Sequence, residues 1–142
     1  MDLKMTADEL TEFLAREFPQ VAADFAIEDV GARRIKVRLV VGERHLRPGG
    51  TVSGPSIFAL ADVAVYLALL AMIGPEALAV TTNASVDFLR KPAAGVDLIA
   101  ECRLLKVGRV LAIGDVLIFS DGMVEPVARA NLTYSIPPKP AG

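Results

Sequence analysis

Twenty consecutive residues, Gly54–Ile73 (GPSIFALADVAVYLALLAMI), are apolar on every face except for one carboxylate, Asp62. At 3.6 residues per turn the stretch makes a helix of about five turns, rich in the helix formers Ala, Leu and Met. A helix apolar all round is enclosed by its own protein or crosses a membrane. The length suits a span of about 20 residues, but an Asp near the centre costs about 2.5–3.5 kcal/mol on insertion. The flanks, Arg47-Pro48-Gly49-Gly50 and Gly74-Pro75-Glu76, are turn-forming and lack an aromatic belt. The expectation is a helix buried in a soluble fold, with no membrane partner. A carboxylate on such a helix must be paired, hydrogen-bonded or protonated. Asp62 is then either a structural acid bonded to a neighbouring segment or a catalytic group tuned by its surroundings.

The other 122 of the 142 residues must supply the enclosure. That length fits one domain, residues 1–142, with a proper core. Apolar residues make up 53% and charged residues 23%, which suits extensive buried surface, including a subunit interface. A formal net charge of -2 gives no footprint for nucleic acid. One cysteine (Cys102) and one histidine (His45) exclude an internal disulfide and make a zinc site improbable, so no metal is expected. Residues 1–19 lack the apolar core of a signal peptide, which makes the cytoplasm the expected location.

Thr6-Ala7-Asp8-Glu9 has the capping-box pattern, and Leu10, Phe13, Leu14 and Phe18 follow at helical spacing until Pro19. A short amphipathic helix over residues 6–18, within an N-terminal segment of residues 1–20, is predicted, with Leu10, Phe13 and Leu14 inward. Residues 25–31 and 33–41 alternate as strands, Ile35, Val37, Leu39 and Val41 sharing one face, with a turn at Gly31-Ala32. A loop, residues 42–53, leads into the apolar helix. Pro55 fits the first helical position behind Gly54 as cap, with Ser53 as the alternative cap. Free amides at such a start form an anion or oxyanion site. Strands follow over residues 78–89, 96–107, 110–119 and 124–136, with Asp121-Gly122 favouring a type I′ hairpin turn. On the last strand Ala128, Ala130, Leu132, Tyr134 and Ile136 point inward, and Pro126 marks an edge or bulge. Residues 137–142 form a tail. The predicted class is α+β: one curved antiparallel sheet wrapped around one long helix, with edge strands that call for a homodimer.

Three motifs in this order resemble the hot dog fold acyl-CoA thioesterases, in particular the phenylacetate-pathway (PaaI-like) branch. Thr51–Asp62 (TVSGPSIFALAD) resembles the loop-to-helix motif G-x-x-H-G-G followed by L-x-D or L-x-E. Residues 81–92 (TTNASVDFLRKP) are similar to a strand ending F-L-R-P, and residues 105–111 (LKVGRVL) to the hairpin L-K-x-G-R-x-L. The resemblance implies that Asp62 is the general base or nucleophile, that the amide of Gly54 holds the oxyanion, and that Thr81 from a partner subunit orients water or acid, with Thr82 as the alternative register. It implies that Arg90, Lys91, Lys106 and Arg109 hold coenzyme A phosphates, with coenzyme A as part of the substrate and no separate cofactor, in a homodimer or dimer of dimers. Phe58 and Tyr66, one turn to each side of Asp62, would line the acyl group.

The loop departs from that pattern. Arg47 stands at the family's Asn, Ser53 at its His and Pro55 at its second Gly. Pro55 has no N–H to offer an oxyanion, and Arg47, if inward, would pair with Asp62. Thioester hydrolysis is the leading expectation. The alternatives are a hot dog hydratase or dehydratase pairing His45 with Asp62, and an acyl thioester-binding protein without turnover.

Overall fold

The computed structural model describes residues 2–138; part of the expected tail, residues 139–142, lies outside the described residues. In chain order the elements are α1 (Ala7–Glu17), β1 (Phe25–Gly31), β2 (Arg34–Leu39), α2 (Gly54–Ile73), β3 (Val80–Phe88), β4 (Leu98–Val107), β5 (Leu111–Ser120) and β6 (Pro126–Ser135). The six strands form one antiparallel sheet in the order β1-β2-β4-β5-β6-β3. It curves around α2, as expected for a hot dog fold.

Alternation in the strands supplies the wall that the apolar helix needs. The inward residues Ile35, Val37 and Leu39 of β2, Leu98, Ala100, Cys102 and Leu104 of β4, and Val116 and Ile118 of β5 are all buried. Along α2, every residue from Ala64 to Met72 is buried. The helix is therefore enclosed by its own chain, although its length and apolarity match a membrane span. Sheet and helix approach closely at Gly114. A Cβ there would lie 3.1 Å from a Val65 methyl, so the β5 backbone meets the helix where a larger residue would push it away. The outer face is charged, with Lys36–Glu101 and Arg129–Asp87 pairs across strands.

Helix α1 closes one end. Its capping box is formed: the Glu9 N–H donates to Thr6 Oγ1 at 3.2 Å, and the Thr6 N–H to Glu9 Oε1 at 3.0 Å. Leu10, Phe13 and Leu14 are buried as the spacing predicts. The Lys4 N–H donates to the Ala71 carbonyl at 2.7 Å, tying the chain start to the end of α2.

Three local expectations change, and one strand breaks its alternation. Ser53, not Gly54, caps α2, its Oγ accepting from the Ser56 N–H at 3.4 Å, which puts Gly54 and Pro55 inside the first turn. The first hairpin turns at Ala32-Arg33, where Arg33 takes φ 61°, closing the pair Gly31–Arg34. The turn at Asp121-Gly122 has positive φ only at Gly122, so it is not type I′, which needs both central residues there. Alternation on β3 breaks at Thr82, where the register against β6 shifts between Thr81 and Asn83. The bulge expected at Pro126 is present, with β5 shifting register between Ile118 and Phe119 opposite it.

Two outcomes follow. Leu67 is fully buried at the centre of the wrap, so Leu67→Ala should cost about 2–5 kcal/mol in urea unfolding. Cys102 is 4% exposed, and burial, with Asp115 nearby, pushes its thiol up to about 12. An aromatic disulfide reagent at pH 8 should leave native Cys102 unmodified and label it completely in denaturant, because the thiolate is the reactive form.

Candidate active site

Asp62 sits where α2 faces β3 and β6. Thr81 Oγ1 donates to Asp62 Oδ1 at 2.5 Å, and Tyr134 Oη donates to the same oxygen at 2.7 Å. Tyr134 Oη also lies 3.1 Å from the Asp62 carbonyl, which fixes the phenol over the helix. Among the described residues no donor reaches Oδ2. One carboxylate oxygen is thus clamped by two hydroxyls and the other is left for chemistry. Charge-assisted bonds of this kind are about twice as strong as neutral ones. Burial pushes the Tyr134 phenol well above its ordinary range, and the Asp62 charge pushes it the same way, so it remains a donor.

The topology explains the meeting. The chain leaves α2 at Ile73 and needs to come back 11 residues of helix, about 16 Å at 1.5 Å each. Residues 74–79 span about 20 Å when extended. Strand β3 therefore starts beside Asp62, and Thr81 pairs with Tyr134 on β6 in register. Thr81 thus reaches Asp62 within one chain, which corrects the expectation that it arrives from a partner. Thr82 is excluded from the site: it is exposed, and its Oγ1 donates to the Thr133 carbonyl at 3.3 Å.

A cavity of about 230 Å³ opens beside Asp62. Asp62 and Thr81 supply its polar lining, Tyr66 and Tyr134 aromatic lining, and Phe18, Val21, Val63, Ala79 and Val80 apolar lining. The Tyr66 ring is packed by Phe18 edge-on at 5.8 Å and by Tyr134 at 6.0 Å, and its Oη donates to the Ala77 carbonyl at 3.2 Å. Burial, with Glu17 and Glu76 nearby, moves the Tyr66 phenol up to about 12, so it too stays neutral. Phe58, expected at the site, is 37% exposed and does not line the cavity. A larger hollow of about 830 Å³ lies on the outer face of the sheet. Three acid–base pairs line it, Arg34–Asp29, Lys36–Glu101 and Arg129–Asp87, and it holds none of the predicted site residues.

The loop residues stand elsewhere. Arg47 is exposed, in a turn in which Gly50 N–H donates to its carbonyl at 3.0 Å, and it makes no ion pair with Asp62. Ser53 is occupied as the helix cap. Gly54, beside the Phe88 ring, carries one of the first-turn amides that a helix leaves unpaired. It lies eight residues from Asp62, about 12 Å along one helix. Arg90 and Lys91 follow β3 at the Gly54 end of the sheet, and Arg90 bonds Glu125 and the Pro126 carbonyl. Lys106 and Arg109 lie at the other end, in the β4–β5 hairpin, and all four cations are exposed.

His45, the acid–base partner a hydratase would need, is turned away. It is 6% exposed; Nδ1 accepts from the Gly42 N–H at 2.8 Å, and Nε2 faces Asp24 at 3.2 Å. The Asp24 carboxyl is held below its ordinary value by the Arg44 hydrogen bond, against burial, with His45 assisting. His45 anchors the loop instead, its carbonyl accepting from the Ser53 N–H at 2.8 Å.

Sequence reasoning missed Tyr134 as a site residue, although it correctly placed it on the inward face. The available signal was that a buried tyrosine hydroxyl needs a partner, and Asp62 was the carboxylate without one.

Comparison with known proteins bears on the fold and the family. Residues 49–127 match the thioesterase superfamily. A solved Silicibacter sp. TM1040 protein, provisionally described as a thioesterase, is 59% identical over 97% of this chain and 96% of its own, with a TM-score of 0.92. A point mutant of phenylacetic acid degradation protein PaaI from Thermus thermophilus is 28% identical over 84% of this chain and 99% of its own (TM-score 0.72). A Streptococcus mutans protein with bound acetyl-CoA is 25% identical over 81% and 90% of the two chains (TM-score 0.70). No match was found among proteins of curated function. An apolar helix wrapped by a six-stranded sheet and the match over more than half of the chain lead to one conclusion: the chain belongs to the thioesterase superfamily of hot dog fold thioester hydrolases.

Proposed function

We propose that the protein hydrolyses an acyl-CoA-type thioester to a carboxylic acid and a thiol at Asp62. The carrying observation is the clamp on one carboxylate oxygen beside a cavity of mostly apolar lining. With Oδ1 held by Thr81 and Tyr134, Oδ2 takes a proton from water attacking the thioester carbonyl. The tetrahedral intermediate collapses with C–S cleavage, the departing thiolate taking that proton. In the alternative route Oδ2 attacks the carbonyl and expels the thiolate, and water then cleaves the resulting acyl anhydride to release the acid and regenerate Asp62. Tyr134 and Thr81 are positioning residues. The acetyl-CoA bound by the Streptococcus mutans protein supports a coenzyme A thioester as the substrate class.

An oxyanion donor is also required, and Gly54 of the same chain is about 12 Å too far along the helix. A second copy supplies it. Strand β3 is a sheet edge with exposed Val80, Ala84 and Phe88, and an uncovered apolar edge invites pairing. Antiparallel pairing of β3 with its copy about a dyad between Ala84 and Ser85 sets Thr81 of one chain opposite Phe88 of the other. Phe88 stands beside Gly54, so the helix start of one chain meets Asp62 of the other. A donor there lowers the barrier by about 2.7–4 kcal/mol. The same pairing brings Arg90 and Lys91 of one copy to the end holding Lys106 and Arg109 of the other, where they would hold coenzyme A phosphates.

Thiol release from a panel of acyl-CoA thioesters tests the reading. Asp62→Asn should lower kcat by about 10²–10⁴-fold; equal rates in both proteins would sink the assignment. Tyr134→Phe keeps the ring packing and removes one donor to a charged group, a contribution of about 1.5–3 kcal/mol. Its kcat should fall about tenfold or more with KM nearly unchanged and cooperative unfolding retained.

The double substitution Ala84→Lys and Ser85→Lys sets like charges directly opposite each other beside the dyad, where residue 84 of one copy faces residue 85 of the other. Sedimentation should then show monomers, and kcat/KM should fall with the dimer fraction. Full activity in a monomer would refute the two-chain site.

A further inference from the structure

The polar end of the cavity is accounted for by hydrolysis, but its apolar end is not. Three of its lining residues lie outside the stretch that matches the superfamily, 49–127. Tyr134 comes from β6, and Phe18 and Val21 come from the segment between α1 and β1. That segment is held at both ends. The Phe18 N–H donates to the Leu14 carbonyl at 2.8 Å, closing α1, and the Val21 N–H donates to the Phe18 carbonyl at 3.1 Å. The Val40 N–H then donates to the Asp24 carbonyl at 2.7 Å, fastening the segment to the residue after β2. Phe18 is edge-on to Tyr66, and Tyr66 also packs against Phe13 of α1 at 6.3 Å. The wall is therefore pre-formed.

Size and charge decide what it admits. Pockets for drug-sized ligands run to about 300–1,000 Å³, and this cavity, at about 230 Å³, is smaller. Asp62 carries the one carboxylate of the lining, and both tyrosines remain phenols. Glu17 and Glu76 lie near Tyr66 and add negative charge outside the lining. An acyl group ending in a carboxylate finds no cation among the residues lining the cavity.

We infer that Phe18 and Val21 form a specificity-determining wall, and that the acyl group it selects is compact, apolar and uncharged, whether a short aliphatic chain or a single ring. The inference rests on the thioester reading, because it assigns the apolar end of that same site. Phe18 lies edge-on to Tyr66, and Val21 adds a second apolar side chain to the lining from the same segment.

The test uses hydrolysis and binding together. Hydrolysis is measured on acetyl-, butyryl-, hexanoyl-, decanoyl-, benzoyl- and succinyl-CoA. Binding is measured by calorimetry with the non-hydrolysable S-butyl, S-hexyl and S-decyl thioethers of coenzyme A. The wild type should favour butyryl, hexanoyl or benzoyl over decanoyl and succinyl by about tenfold or more, the scale of discrimination by small apolar differences. The aliphatic and benzoyl arms identify which compact group fits best. Phe18→Ala should move the preference toward decanoyl by about tenfold, and Val21→Phe should abolish the hexanoyl preference while retaining acetyl. If no thioester is cleaved but the thioethers still bind in a length-dependent order that both variants shift, the wall stands and the hydrolysis reading falls. Wild-type binding or turnover indifferent to acyl length overturns the inference. So does a chain-length profile unchanged in a folded Val21→Phe, a substitution at a half-exposed site that should leave the protein folded even where Phe18→Ala does not.

Discussion

A carboxylate on an apolar helix needs donors, and the way Asp62 obtains them organises this molecule. Left unpaired among buried neighbours, an ionised group would neutralise or destabilise the fold. Thr81 and Tyr134 supply the two hydroxyls, one from each of the paired strands β3 and β6. Both strands must sit in one register for the hydroxyls to converge on a single oxygen, because a one-residue slip turns every side chain to the other face. The bulge at Thr82 allows Thr81 to turn toward the helix on an otherwise exposed edge strand.

The same pairing separates tasks along α2. Its C-terminal half is sealed against the sheet and secures the fold, whereas Phe58, Ala59, Asp62 and Val63 remain partly or largely exposed. A sheet that covered α2 completely would have left no cavity beside Asp62. The first turn, capped by Ser53, is held in place from the far side by His45, whose ring is spent on Gly42 and Asp24. The single histidine thus serves the loop before the helix and not proton transfer.

Much of this was legible in the residues. The unbroken apolarity of Gly54–Ile73 between Ser53 and Gly74-Pro75 marks the central helix, and strict alternation marks β2 and β4. Asp62 stands out because it is the one acid in the stretch. The motif order also pointed to the hot dog fold and the thioesterase superfamily. What was not legible depended on register and return path. Tyr134 looks like one more core residue until β6 is paired with β3, and the origin of Thr81 depends on how far residues 74–79 reach back along the helix. Arg47 could be imagined facing Asp62 because a loop of glycines and proline has no periodicity from which to read a direction. Phe18 reads as the last apolar position of a short helix, and nothing in its spacing shows that it looks into a cavity.

The placement of Phe18 and Val21 bears on how such a protein can change over time. Asp62 and its two hydroxyl donors sit on α2, β3 and β6, where a substitution disturbs the core and the clamp together. The opposite wall sits on a connecting segment, where loops and termini tolerate variation. Descendants of one ancestral sequence can therefore drift in that segment and acquire different substrate ranges while the carboxylate and its two hydroxyls remain under one unchanged structural demand.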